Sequence, residues 1–388
     1  MRLSARRACV ALLLLLPLAA APTTATAADD DPAPLRTTAA PVPDQYIVTL
    51  KPGTASAKVA QRLGITPLHE YTSVLRGFAA KLDASQLAAV RGLPDVQAVE
   101  QDAVVTVGPV AAPHAVAASW GLDRIDQPYL PLNGQFNVYS TGAGATAYIL
   151  DSGIDYGHTE FGGRAVPGFD AMGDGRNGQD CNGHGTHVAG TVGGATYGVA
   201  RASRLVSVRV LGCDGKGAYS GIIAGFDWVA RNAQQPAVLN GSLGGPRSDA
   251  VNQAATALSD SGVLPVIAAG NDAIDACNVS PASAARVLTV GATNQHDLQT
   301  NFSNHGPCLD MYAPGADIVS ARLGGGSVAL NGTSMASPHV AGVATLLKSR
   351  HASATPAQVY RWLTDRSVDG ILVVSPSSPN RLVQTAGL

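Results

Sequence analysis

The tightest constraint on this chain is a series of short, nearly continuous apolar runs separated by helical segments. The runs are Ala145–Leu150, Leu205–Val210, Val238–Ser242, Val263–Ala268, Val287–Val290 and Leu309–Ala313. They are rich in β-branched residues and lack the strict alternation of a strand with one wet face, so they read as strands buried on both sides. Ile222–Asn232, Ala250–Ser261, Ser334–Arg350 and Pro356–Thr364 carry helical spacing. The alternation predicts an α/β fold, a parallel sheet covered by helices on both faces. In such sheets, reactive groups gather beyond the carboxyl ends of the strands.

Composition agrees. Of 388 residues, 46% are hydrophobic and 14% charged, which suits a well-buried globular protein and excludes a disordered one. The net charge of -2 gives no general attraction to nucleic acid or acidic membranes. The chain opens with Arg2, Arg6 and Arg7, then an apolar run from Ala8 to Ala21, then Ala25-Thr26-Ala27. That is the pattern of a secretory signal peptide over residues 1–28, too short in its apolar part for a membrane anchor. Export and an extracellular location follow, with no membrane attachment after processing.

Residues 29–43 are rich in Ala, Pro, Thr and Asp and read as a flexible linker. Over 44–107 the segments Gln45–Leu50 (strand), Ala55–Leu63 (helix), Gly77–Leu82 (strand), Ser85–Val90 (helix) and Val96–Val107 (strand) are read as a strand–helix–strand–strand–helix–strand order. This predicts a small ferredoxin-like α+β unit, marginally stable by itself. A second Ala/Pro/Val stretch, 108–119, reads as a hinge or processing linker before the α/β domain of 120–388. Beyond the last helical segment of that domain, Pro356–Thr364, only a short tail remains, so no further C-terminal domain is expected.

Cys9 leaves with the leader, and Cys181, Cys213, Cys277 and Cys308 remain. In an exported protein an even count points to disulfides, with three pairings open. Pairing neighbours in sequence closes two loops of similar size. A zinc site on Cys181, His184, His187 and Cys213 is the alternative.

Four polar residues fall where the sheet would gather them. Asp151 ends the run Tyr148-Ile149-Leu150. His184 lies in Asn182-Gly183-His184-Gly185-Thr186-His187, a glycine turn opening a helix. Asn271 follows Ala268-Ala269-Gly270, and Ser334 opens the long helix after Gly332-Thr333. A serine hydroxyl is a poor nucleophile unless a base removes its proton, and imidazole titrates near neutrality. Asp151 would orient and stabilise the imidazolium. The Asn271 amide and the Ser334 backbone N–H would hold the oxyanion of a tetrahedral intermediate. Each residue alone has a bland reading as a turn or cap. The order Asp, His, Ser is one of the known orders of the acyl-transfer triad.

Asp151-Ser152-Gly153-Ile154, His184-Gly185-Thr186-His187 and Gly332-Thr333-Ser334-Met335-Ala336 resemble the three signature blocks of subtilases, the subtilisin-like serine peptidases. The resemblance runs from Trp120 to about Leu363. It is strongest to the proteinase K and aqualysin group, whose mature start is similar to Trp120-Gly121-Leu122-Asp123-Arg124-Ile125. Where proteinase K has a cysteine after the second histidine of the block, this chain has Val188. The resemblance implies a three-layer fold with a mostly parallel central sheet and serine endopeptidase activity on proteins and peptides. It also implies the aqualysin-type disulfides Cys181–Cys213 and Cys277–Cys308.

Tyr46-Ile47-Val48 and Arg76-Gly77-Phe78-Ala79 are similar to subtilase propeptides of the inhibitor I9 type. That implies a domain that assists folding and then blocks the cleft with its C-terminal tail, Val104–Val107, until cut within 108–119. Gly215-Lys216-Gly217-Ala218-Tyr219 and Ser242-Leu243-Gly244-Gly245 resemble the two edges that sandwich an extended peptide. Main-chain pairing implies broad specificity. Small residues at Ala268, Ala269 and Gly270 suggest an open, uncharged S1 pocket favouring apolar or aromatic P1 residues, with Tyr219 walling S4. By the same resemblance, calcium would take the Asp310 side chain and the backbone oxygens of Ala285 and Val287, with a second site near Asp126. No organic cofactor is implied, and a monomer is expected.

Two rival readings run against the sequence. An α/β-hydrolase esterase requires Gly-x-Ser-x-Gly and the order Ser, acid, His, and Ala336 and the order here oppose it. A catalytically dead binding protein would lack a triad member or the oxyanion amide, and none is missing.

Overall fold

The computed structural model describes residues 31–107 and 119–388. The proposed leader and most of the processing linker lie outside the described residues. The N-terminal unit contains β1 (Leu35–Arg36), β2 (Pro41–Leu50), α1 (Ser56–Arg62), β3 (His69–Tyr71), β4 (Gly77–Lys81), α2 (Ala84–Arg91) and β5 (Val96–Thr106). Its sheet has the order β1-β5-β2-β4-β3, antiparallel except that β1 runs parallel to β5. Removing β1 leaves the ferredoxin-like arrangement expected from the strand and helix order.

The linker reading of 29–43 is corrected here. Ala33 is buried, Leu35 pairs with Val99, and β2 already begins at Pro41. Ala-Pro composition suggested a flexible tether. Two apolar side chains and the open edge of β5 make an edge strand the better use of it, and edge strands tolerate proline.

The second domain carries α3 (Trp120–Asp126), β6 (Thr146–Asp151), β7 (Ala165–Asp170), α4 (His184–Gly193), β8 (Arg204–Arg209) and β9 (Lys216–Ala218). Next come α5 (Tyr219–Asn232), β10 (Ala237–Gly241), β11 (Gly245–Pro246), α6 (Asp249–Asp260), β12 (Leu264–Ala268) and β13 (Val279–Ser280). The last part holds β14 (Leu288–Thr293), β15 (Met311–Pro314), β16 (Ile318–Ala321), β17 (Ser327–Leu330), α7 (Thr333–Arg350), α8 (Pro356–Asp365), β18 (Val368–Asp369) and β19 (Arg381–Leu382).

The main sheet runs β18-β19-β15-β14-β12-β10-β6-β8-β7 and is parallel apart from the β18–β19 pair. One face, with Ile149, Val238, Val266 and Val290, packs on α4 and α7. The other, with Leu150, Val208, Leu239 and Ile267, packs on α5 and α6. These are the three layers implied by the sequence, and burial on both faces explains the unbroken apolar runs. From β6 the chain crosses to β7 and β8 on one side, then returns to β10 on the other. This reversal beside β6 is where an α/β sheet opens a crevice at its carboxyl ends.

Candidate active site

Asp151 is the last residue of β6 and fully buried. His184 is the first residue of α4, behind Gly183, whose φ of 106° turns the chain sharply into the helix. Asp151 Oδ1 accepts from Ser152 N at 2.7 Å and lies 2.7 Å from His184 Nδ1. With Nδ1 donating to that carboxylate, Nε2 is the ring's acceptor. Burial by itself lowers the His184 pKa. The charge and hydrogen bond of Asp151, aided by Asp180, overcome it, so the net shift is upward.

Ser334 sits in the first turn of α7. Pro338, four residues on, has no N–H to give the Ser334 carbonyl. Ser242, just beyond β10, supplies the missing donor: its Oγ reaches Ser334 O at 2.8 Å. Ser334 Oγ in turn donates to Ser242 O at 3.2 Å. Behind them, Asn240 Nδ2 donates to Ser242 Oγ and Ser337 Oγ donates to Asn240 Oδ1. Among the described residues Ser334 Oγ has no hydrogen bond to His184. The structure therefore joins Asp151 to His184 and Ser334 to Ser242, and the base–nucleophile hydrogen bond is not formed. Catalytic hydrogen bonds often close only around substrate.

Asn271 Oδ1 accepts from Thr333 N at 2.8 Å and from Thr333 Oγ1 at 2.9 Å. This fixes the amide so that Nδ2 remains to donate, as an oxyanion donor must. Buried Asn304 holds the loop behind it, donating to Ala269 O and accepting from Asp272 N and Ile274 N. Sequence reasoning missed Thr333 and Asn304. Thr333 had a signal, its place immediately before the serine, and Asn304 had none.

A cavity of about 480 Å³ is bounded by Ser334, Asn271, Thr333, Ser242, Leu243, Gly244, Ala268 and Gly270, together with Ile274 and Val279. Thr106 and Val107 of the N-terminal unit enter the same cavity. Val104, Val105 and Thr106 pair antiparallel with Ala218, Gly217 and Lys216, and Val107 N donates to Gly215 O at 3.0 Å. A Cβ on Gly215 would come within 2.8 Å of the Val107 side chain, so glycine admits this strand. Tyr219 is buried beside it, its hydroxyl donating to Pro246 O.

Residues 142–383 match the model of the subtilase family, peptidase S8, and 45–107 match that of the peptidase inhibitor I9. The chain belongs to the subtilase family. It is similar to alkaline serine exoprotease A of Vibrio alginolyticus, 47% identical over 80% of this chain and 58% of that protein. The extracellular serine proteinase of Thermus sp. (strain Rt41A) is 47% identical over 81% of this chain and 77% of its own length. Proteinase R of Parengyodontium album is 41% identical over 88% of each chain. A crystal structure of a cold adapted subtilisin-like serine proteinase superposes with a TM-score of 0.68 at 48% identity, covering 69% of this chain and 98% of that one.

In this subtilase Cys181 is bonded to Cys213 and Cys277 to Cys308. The zinc alternative is thereby overturned, because its two sulfur ligands are joined to each other and His184 is paired with Asp151. Each bridge closes a loop of about 30 residues, worth ~3–4 kcal/mol by chain entropy.

The residues matched to calcium border a separate cavity of about 680 Å³ that includes Ala285, Val287, Asp310 and Tyr360. Asp310 is partly buried with no ion pair to a cation within 4 Å among the described residues, and desolvation pushes its pKa up. Oδ2 accepts from Thr289 N at 2.7 Å and Oδ1 from Tyr360 Oη at 2.5 Å, while Ala285 O accepts from Thr256 Oγ1 at 2.8 Å. A partly buried carboxylate beside backbone carbonyls is an all-oxygen donor set of the kind that suits calcium. Asp126, near the second suggested site, accepts from Asn137 N through Oδ2. Among the described residues no cluster of three or more acidic, His or Cys side chains could hold a metal, and no helix is long and apolar enough to cross a membrane.

Proposed function

We propose that this subtilase is a secreted serine endopeptidase, made as a zymogen that cuts itself. The observation that carries the reading is the 2.7 Å pairing of Asp151 with His184, together with the cavity that Ser334 and the oriented Asn271 amide line and the I9 strand enters. Ser334 Oγ attacks the scissile carbonyl while His184 Nε2 takes its proton. Asp151 holds the imidazolium that forms, and Asn271 Nδ2 with the Ser334 N–H receives the oxyanion. Collapse breaks the C–N bond, the leaving amine takes the proton from His184, and water then hydrolyses the acyl-enzyme by the same steps in reverse.

The strand pairing of Val104–Thr106 with Lys216–Ala218 supports reading the I9 domain as inhibitor and Gly215, Gly217 and Tyr219 as substrate edge. Main-chain recognition favours broad specificity. The apolar walls at Leu243, Ala268 and Val279, in a cavity that Asp272 also borders, favour apolar or aromatic P1 residues. Export is supported by the leader pattern and by the extracellular Thermus relative. Asp310 and the carbonyls of Ala285 and Val287 would hold a structural calcium, which would neutralise the partly buried carboxylate. Chelator should then speed thermal inactivation, and inactivation indifferent to chelator removes the ion.

The deciding experiment labels purified protein with a fluorophosphonate beside Ser334→Ala. Wild type should be labelled at Ser334 and processed within 108–119. The variant should stay uncut and lose about a millionfold in kcat. An unlabelled wild type ends the enzyme reading. A chromogenic peptide panel cleaved best after Lys or Glu ends the P1 assignment.

A further inference from the structure

Asp180 is almost completely buried, and among the described residues no Lys, Arg or His side-chain nitrogen forms an ion pair with its carboxylate. It accepts five hydrogen bonds instead. Oδ1 takes Ser152 Oγ at 3.0 Å, Asn182 N at 2.9 Å and Gly183 N at 3.0 Å. Oδ2 takes Thr186 N at 3.0 Å and Thr186 Oγ1 at 2.5 Å. The two hydroxyls pass the connection on: Ser152 Oγ accepts from Gly185 N at 2.9 Å, and Thr186 Oγ1 accepts from Asp155 N at 3.0 Å. Ser152 and Asp155 belong to the loop that follows Asp151. Gly183, Gly185 and Thr186 flank His184. One carboxylate thus ties together the two loops on which the acid and the base stand.

A full negative charge without a bonded cation is expensive to bury. Helix-terminal N–H groups offset part of that cost. Arg209 on β8 is close, donating to Ser152 O, but its guanidinium is engaged by Asp170 and Asp174. The other titratable groups around the loops are Asp151, Asp155 and His187, and burial holds His187 neutral, its pKa lowered to about 3. His184 is therefore the group beside Asp180 that becomes cationic during the reaction.

We propose that Asp180 is a positioning residue for the triad: it fixes His184 against Asp151 and its charge helps hold the imidazolium. The proposal rests on the triad reading above. A plain helix cap would affect stability alone, so the test must read something else.

The experiment compares kcat, KM and the pH profile of kcat/KM for processed wild type and Asp180→Asn, with Thr355→Ala as a control that removes the cap of α8. Asp180→Asn should lower kcat about 10- to 100-fold, the scale seen when a second layer of hydrogen bonds is removed. KM should stay within about twofold, since ground-state binding is untouched. The acid limb of kcat/KM should move to lower pH, because a negative charge near the imidazole has gone. Thr355→Ala should lower Tm and leave the pH limb alone. An Asp180→Asn enzyme with unchanged kcat and pH limb overturns the proposal, whatever its Tm. If that chain does not fold, Ser152→Ala decides. It removes the Ser152 links to Asp180 and Gly185 and keeps the Asp180 charge, so kcat should fall while the pH limb stays; a retained kcat again overturns the idea. Fluorophosphonate labelling of wild type in the same experiment keeps the two readings apart, since an unlabelled wild type removes the triad itself.

Discussion

The I9 domain finishes one face of its sheet with its own helices and leaves the other to its neighbour. Val48, Leu50, Phe78, Ala80 and Val99 pack on Val59 and Ala60 of α1 and Val90 of α2. The opposite face, with Ile47, Tyr71, Ala79, Ala103 and Val105, joins Tyr219, Ile222 and Phe226 of α5 and Val251 and Ala254 of α6. The peptidase domain, by contrast, covers both faces of its main sheet itself. Polar groups repeat the dependence. Asp102 accepts from Ser220 N at 3.1 Å, Glu100 accepts from Ser248 Oγ, and Asp227 of α5 accepts from Thr72, Ser73 and Val74 N at 3.1, 2.6 and 3.0 Å. Two helices that support the catalytic sheet are thus also the platform on which the inhibitor is completed.

Acid should break this contrast most strongly, from the peptidase side. His187 and His339 are fully buried, and burial lowers their pKa to about 3 and about 4. Both folded values lie below the unfolded one, so stability is complete above about pH 6.5 and falls as pH drops toward 4 and 3. His339 alone accounts for a loss on the order of 3 kcal/mol. Urea midpoints of the mature domain should decline across that range, and a flat profile from pH 7 to 4 refutes it.

The dependence of the I9 domain is sharpened by Asp227→Ala, which leaves three backbone N–H groups of the inhibitor without an acceptor. Docking should weaken by about 2 kcal/mol, read as a roughly thirtyfold faster release of activity after processing. Mature kcat/KM should not move. Unaltered release kinetics would mean that the apolar face carries the docking alone. The smallest effect belongs to Arg36, on the strand read from sequence as a linker. Its guanidinium lies 3.3 Å from Asp249 and 4.0 Å from Glu100, half exposed. Arg36→Ala should cost under about 1 kcal/mol of docking, fading further with added salt. A larger, salt-independent loss would make the N-terminal strand a principal anchor.

Six strands of the main sheet were legible because burial on both faces leaves a signal that a single chain displays. β7 was not, since Pro167 and Gly168 interrupt it. The hairpin β16–β17 hides in two four-residue pieces around Gly324-Gly325-Gly326. At the site, Asp151, His184, Asn271 and Ser334 each carry a local cue: a strand end, a glycine turn or a helix start. Their supports do not. Asp180 to Ser152 and Asn304 to Ala269 are contacts across 28 and 35 residues, created by the folded arrangement. The Ser242 grip on Ser334 required knowing that β10 ends beneath α7.

That grip bears on how the machine deforms. Because Pro338 severs the Ser334 carbonyl from the hydrogen-bond ladder of its own helix, Ser334 is moored to Ser242, whose neighbours Leu243 and Gly244 line the same cavity. The first turn of α7 and the end of β10 are thereby coupled, and a displacement of one is shared by the other.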